Sequence, residues 1–427
     1  MSAEEPSRGA NCAPLGGSEA AKPRAWGAYA GDGTSDPLAL PRVPDPAPRL
    51  HRKRDVVACA LFVVATAAMG IGAFRPHPPA TLWTENRAIA PWPPLAATRE
   101  FAAAFERAFS DRFGARDALL RLHNRTLVRV FGVSPAPNVL IARDGWLFFK
   151  GEDGHALDRF YRGTLAVDDH QLRDVVDELR RRARYLASQG IAYVVTIAPD
   201  KATVYPEMLP AWVRPVTPRS PLDRLVAMIE RDRFVRYVDL RPALRAAKTR
   251  EHVYYATDSH WNSLGAPVAY EAIMRAIGDA LAPRKIAIAP VTLPPYVPGV
   301  DVYHGDLARM TGDTDHFPEP DYAPLWKILA AGDSRCAKRQ DSGKDLGLAW
   351  YACDRPGLPR AVMYRDSMAI PLIPLLSENF AHVVYVESHR FDPAFIGREK
   401  PDVVIEEMVE RAMFAPAATP MAMPNGR

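Results

Sequence analysis

The chain has 427 residues, 48% of them hydrophobic, which suffices for one sizeable globular domain with additional segments. Its 54 Lys and Arg against 50 Asp and Glu give a formal net charge of +4, and the basic residues are scattered along the chain, so nucleic acid is not implied as a partner. The 4 cysteines lack zinc-type spacing; Cys336 and Cys353 either close a short loop in an oxidising compartment or stay free thiols.

Residues 1–55 are rich in Gly, Ala, Pro and Ser and end in the basic cluster Arg49–Arg54, which predicts a disordered cytoplasmic tail. Val56–Phe74 is an uncharged apolar run. At ~1.5 Å per residue it is about long enough for a helix to cross a hydrocarbon core of roughly 30 Å. Its positive flank is amino-terminal, so the rest of the chain is expected outside the cytoplasm. No small-x-small cleavage site follows, which favours a retained single-pass anchor over a signal peptide. Residues 75–135 read as a Pro-rich spacer and a helical segment. There Phe101, Phe105, Phe109 and Phe113 recur every four residues as one apolar stripe, expected to pack against the main domain.

From 136 to 412 strand and helix signals alternate. Val139–Phe149 reads as a hairpin turning at Asp144-Gly145, and 168–188 as an amphipathic helix with a solvated basic cluster, Arg180, Arg181, Arg182 and Arg184. Strands are expected at Ile191–Ala198, Phe234–Leu240, Ala361–Tyr364, His382–Glu387 and Asp402–Glu406. Helices are expected at Leu222–Arg231, Gly265–Ile277 and Ala369–Phe380, with a long Pro-interrupted stretch over 283–360 and a mobile tail from 413 to 427. This pattern predicts an α/β fold, a mainly parallel sheet flanked by helices and preceded by one transmembrane helix.

Polar residues gather where such a sheet places functional groups, after the strands: Asp200-Lys201, Asp366-Ser367, Glu406-Glu407, and the loop carrying Asp258 and His260. Asp258 and His260 are two apart, so in an extended segment both side chains leave on one side, where a carboxylate can orient an imidazole. The pair requires a nucleophile. Ser367 follows a strand-like run and precedes apolar residues at helical spacing, placing it where unpaired N–H groups face a forming oxyanion. Gly332-Asp333-Ser334 competes, but the tract after it, Arg335–Gln340, is polar and loop-like. A metal reading through Asp258, His260 and His304 has only loosely spaced ligands.

Several blocks together resemble the alginate O-acetyltransferase AlgX/AlgJ family, whose catalytic domain is SGNH-hydrolase-like. They are Asp111–Arg116, Asp144–Phe148, Pro199–Lys201 with Tyr205-Pro206, Thr257–Trp261, Gly305–Leu307, Arg365–Ser367, and Pro401–Val404 with Glu410-Arg411. The resemblance implies Ser367 as nucleophile, His260 as general base and Asp258 as orienting acid, with no cofactor. It implies acetyl transfer through a Ser-acetyl intermediate to an exopolysaccharide, alginate or another. It also implies a multi-pass membrane O-acyltransferase as acetyl donor, and a domain held on the periplasmic side of the bacterial inner membrane. The same residues could serve an esterase or a catalytically silent scaffold. For the oxyanion, the backbone N–H of Ser367 is the first candidate, with Arg365 and Asn262 as additions; Lys201 either steers an anionic polymer or is a surface lysine.

Overall fold

The computed structural model describes residues 50–72, 81–82, 87–94, 100–113, 116–288, 298–322, 336–340, 348–353 and 357–421. The expected disordered segment up to residue 49, much of the Pro-rich spacer, and Ser334 lie outside them. The chain divides into two compact units, 1–64 and 65–427. Helix α1 (Leu50–Gly72) carries most of the apolar run, with every side chain from Lys53 to Ala67 exposed. Among the described residues no helix is long and apolar enough to cross a membrane.

The phenylalanine stripe lies on α2 (Phe101–Arg112) and its C-cap Phe113, separate from α3 (Arg116–Phe131). Successive ring centroids lie 5.9, 6.0 and 6.1 Å apart, the first two pairs stacked and the third tilted, and Phe105 remains 37% exposed. The hairpin of β1 (Val139–Ile141) and β2 (Leu147–Phe149) forms as expected, with Asp144 in the left-handed region at its turn.

The main sheet is built from β3 (Ala192–Ala198), β4 (Arg236–Asp239), β7 (Cys336–Gln340), β8 (Leu348–Cys353), β9 (Arg360–Tyr364), β10 (His382–Val386) and β11 (Val403–Val409). Among the described residues its order is β4-β3-β11-β9-β10-β8-β7. The first five of these run parallel, and β8 and β7 are antiparallel additions at one edge. Alternation along each strand separates two apolar layers. Val194, Met363 and Ile405 face α6 (Gly265–Leu281), which contributes Tyr270, Ile273 and Ile277. Val195, Val362 and Val404 face α4 (Asp169–Ser188) and α5 (Pro221–Asp232), which contribute Leu172, Leu179 and Leu225.

Five expectations are corrected. The tract 336–340 is strand β7, not loop, and lies at the edge of the sheet among the described residues. Its register sets Cys336 directly opposite Cys353. The stretch 283–360 contains a further hairpin, β5 (Pro298–Tyr303) with β6 (Glu319–Tyr322). Arg182 is fully buried: it bonds Glu178 at 2.8 Å, Glu406 at 2.6 Å, and the carbonyls of Pro416 and Thr419. Those last bonds dock residues 413–421, with Met413 and Met421 buried, where a mobile tail was expected. The buried Glu406 is thereby a structural partner of Arg182 and Tyr193, not a cleft residue.

Candidate active site

The loop from Tyr255 to His260 is held by opposite charges reading opposite ends of its peptide groups. Lys201, just past β3, donates from Nζ to the carbonyls of Tyr255, Ala256 and Asp258 at 3.0, 2.9 and 2.6 Å. Glu319, on β6, accepts from the N–H groups of Ala256 and Thr257 and from the Thr257 hydroxyl. Trp146 and Phe148 of the β1–β2 hairpin cover the Lys201 ammonium, with ring centroids 5.4 and 5.2 Å away. Gly305 lies so close that an added Cβ would stand 2.1 Å from the Thr257 carbonyl oxygen, which explains the glycine of Gly305-Asp306-Leu307.

Within this frame Asp258 is a four-donor acceptor. Oδ1 takes the His260 N–H at 3.0 Å and Nδ1 at 2.6 Å; Oδ2 takes the Tyr303 hydroxyl at 2.7 Å and the Asp306 N–H at 2.8 Å. The segment is therefore not extended, as the spacing argument supposed. It bends so that one carboxylate oxygen holds both the backbone and the ring of the residue two positions on. On its far side His260 Nε2 lies 3.0 Å from Ser367 Oγ, joining groups 107 residues apart.

Ser367 sits just past β9, at the start of a 3₁₀ segment (Ser367–Leu372), followed by a short helix (Ile373–Ser377). The longer helix expected here is broken because Pro371 and Pro374 lack N–H donors. Asp366 fixes the turn. Its carboxylate accepts from Met368 N at 2.8 Å and from Val409 N at 2.6 Å, and its own N–H donates to Glu407. Among the described residues the Ser367 N–H has no protein partner, which leaves it available to an oxyanion.

The other three predicted site residues have different positions. Arg365 is buried and spends its guanidinium on the Asp366 carbonyl and on Glu387. Asn262 is 1% exposed and bonds the His252 carbonyl and the N–H groups of Leu264 and Gly265, capping the start of α6. Lys201 is neither a surface lysine nor a polymer contact; it is 4% exposed and occupied with the loop above. Sequence reasoning assigned no role to Tyr303, Asp306, Glu319 or Arg411. Gly305-Asp306-Leu307 and Glu410-Arg411 were the available signals. Asp306 accepts from Ser259 N and Oγ, and its Oδ2 is 3.6 Å from His260 Nδ1. Arg411 pairs with Asp200 and lies 5.1 Å over the Phe149 ring. Ser367, His260, Asp306, Arg309 and Arg411 line one cleft of about 960 Å³.

Burial works against charge on both partners of the imidazole pair, and pairing outweighs it. Burial raises the Asp258 carboxyl, but the His260 and Tyr303 hydrogen bonds bring it well below the usual carboxylate range. Burial lowers the His260 imidazole, but the Asp258 hydrogen bond and charge raise it above its ordinary value. Asp306 is raised by burial and by the Asp258 charge. Lys201 is pushed down to about 8 by burial, and Glu410 up to about 8 by burial and the Asp200 charge.

Among the described residues Asp258, His260 and Asp306 offer ligand atoms within 4.8 Å of one another, a group that does not include the His304 of the metal reading. Its best-placed atoms, Asp258 Oδ1 and His260 Nδ1, already bond each other.

A mainly parallel sheet with an Asp-His-Ser series at the carboxyl ends of its strands defines an SGNH-hydrolase-like fold. The family model described as "SGNH hydrolase-like domain, acetyltransferase AlgX" matches residues 139–345, which include Asp258 and His260 and stop before Ser367. A probable alginate O-acetylase AlgJ of Pseudomonas putida is 32% identical over 224 residues, 51% of each chain. That of Pseudomonas aeruginosa is 32% identical over 130 residues, 30% of each chain. Among solved structures, the O-acetyltransferase domain of Pseudomonas putida AlgJ superimposes with a TM-score of 0.43 at 21% identity, covering 65% of this chain and 92% of that one. Bacillus cereus PatB1 gives 0.45 at 14%, covering 64% and 96%. Over the matched half of its length the chain is similar to the AlgX/AlgJ family of SGNH-like acetyltransferases. It spans about half the length of the first curated relative it matches.

Proposed function

We propose that this chain is a polysaccharide O-acetyltransferase that works through an acetyl ester on Ser367. The observation that supports this reading is the continuous series Asp258 to His260 to Ser367, whose His260 and Ser367 line an open cleft. Ser367 Oγ attacks the donor's acetyl carbonyl while His260 Nε2 takes its proton and passes it to the leaving group. An acceptor hydroxyl then gives its proton to His260 and attacks the Ser367 ester; the proton returns to Ser367 Oγ as it leaves. Asp258 holds the ring and stabilises the imidazolium. The relatives' names point to an alginate-like exopolysaccharide as acceptor, and the reading includes a multi-pass membrane O-acyltransferase as donor. In the same reading Val56–Phe74 anchors the chain and the domain is periplasmic.

The test supplies the full chain with an activated acetyl ester and an alginate oligosaccharide, following the protein by intact mass and the sugar by its acetyl content. A single protein adduct that discharges onto the sugar is expected. Discharge only to water would instead make the chain an esterase, and no adduct would leave a scaffold.

A pH profile should reflect the imidazole. His260 must be neutral to accept the proton, so the acylation rate rises with pH through a limb above the ordinary imidazole value of about 6.5. Asp258→Asn removes the raising cause and keeps the burial, so the limb moves to lower pH and the rate falls about 10⁴-fold. Stopped-flow acylation across pH checks both; an unmoved limb would detach His260 from the rate.

A further inference from the structure

The cleft above Ser367 shares part of its wall with a second groove. Ala136 and Pro137 line both, and the second, of about 480 Å³, is also lined by Val133, Lys150, Arg162 and Trp212. Trp212 is 65% exposed although Leu209 and Val213, close on either side, are buried in the core. The backbone is thus anchored and the indole is presented outward, at the cost of the burial such a side chain would otherwise gain. Two cations accompany it. Lys150 donates to the Pro137 carbonyl at 2.8 Å and keeps further donors. Arg162 bonds Asp158 at 2.8 Å through one Nη, while its buried Nε has no partner among the described residues.

We propose that this groove is a distal subsite for the acceptor polysaccharide, with Trp212 stacking on a sugar ring beyond the one being acetylated. The inference rests on the reading of the cleft as a polysaccharide site. A sugar offers a C–H face that packs on an aromatic ring and a rim of hydroxyls and carboxylate that takes donors, the composition of this groove. Asp158 offsets Arg162, so Lys150 leaves the groove with one net positive charge, which suits an acidic sugar. A polymer seated over Ser367 reaches the groove by crossing Ala136 and Pro137, so the subsite acts only on acceptors long enough to span both.

The test titrates an alginate trisaccharide and decasaccharide into the full chain carrying Ser367→Ala, with and without Trp212→Ala, by calorimetry. Trp212→Ala is expected to weaken the decasaccharide about tenfold and leave the trisaccharide unchanged. With Ser367 intact, the KM for the decasaccharide should rise by the same factor while kcat and acylation by a small ester stay the same, and Trp212→Phe should recover most of the loss. Equal loss on both lengths overturns the subsite. So does no loss on either, which would assign Trp212 to docking on a protein or membrane. If the decasaccharide binds with this dependence on Trp212 but receives no acetyl group, the transferase reading fails and the subsite stands.

Discussion

Ser367→Ala is expected to abolish the acetyl adduct and to reduce transfer to sugar by about 10⁶-fold, with the protein still folded. Among the described residues the hydroxyl's one side-chain partner is His260, so its removal leaves no buried group stranded there. The turn itself is held by Asp366 through Met368 and Val409. Thermal melting should therefore shift little, and intact-mass analysis should show the unmodified chain. Ser334→Ala is the control and should keep the adduct. An adduct that survives Ser367→Ala would place the nucleophile elsewhere and undo the proposed roles of His260 and Asp258 together.

Lys201→Met should be the most damaging substitution outside the reacting groups. Methionine fills a similar volume between Trp146 and Phe148 but leaves the carbonyls of Tyr255, Ala256 and Asp258 without their donor. A loss of about 3 kcal/mol is expected, from buried acceptors stripped of a charged donor and set against the relieved cost of burying an ammonium. Because the loop carries Asp258 and His260, acylation should fall about 10²-fold in the protein that remains folded. Lys201→Arg should not rescue it, since a planar guanidinium cannot direct its donors at three carbonyls of one bend. The pH dependence has a defined sign. With its folded value near 8, Lys201 has released a proton that the unfolded chain still holds between about pH 8 and 10.4, so its contribution to stability rises with pH there. Denaturant unfolding of wild type and Lys201→Met at pH 7 and pH 9.5 measures both; full acylation by the variant would show that the loop needs no clamp.

Short continuous apolar runs made the parallel strands legible, and residue chemistry made Ser367 and the Asp258–His260 pair legible, because each of those signals is local. What the chain does with a single polar side chain is not local. Arg182 sits in a run of arginines on α4 and reads as solvated, yet it turns inward because Glu406 and the carbonyls of Pro416 and Thr419 arrive from more than 200 residues away. Lys201 and Glu319 likewise acquire meaning only once the loop is folded between them. Asn262 carries a cap signal of its own, an amide side chain shortly before a helix, which its nearness to His260 obscured. The hairpin of β5 and β6 was hidden by its register irregularity between Pro298 and Val302.

The strand order carries a temporal consequence. β11 is the last strand of the sheet in the chain, yet it lies between β3, which precedes the Lys201 clamp, and β9, which precedes Ser367. A growing polypeptide that has already made Asp258, His260 and Ser367 still lacks the wedge that sets the clamp and the nucleophile at their working separation. The strand made last is thus the one that closes the sheet between the two, as a keystone closes an arch.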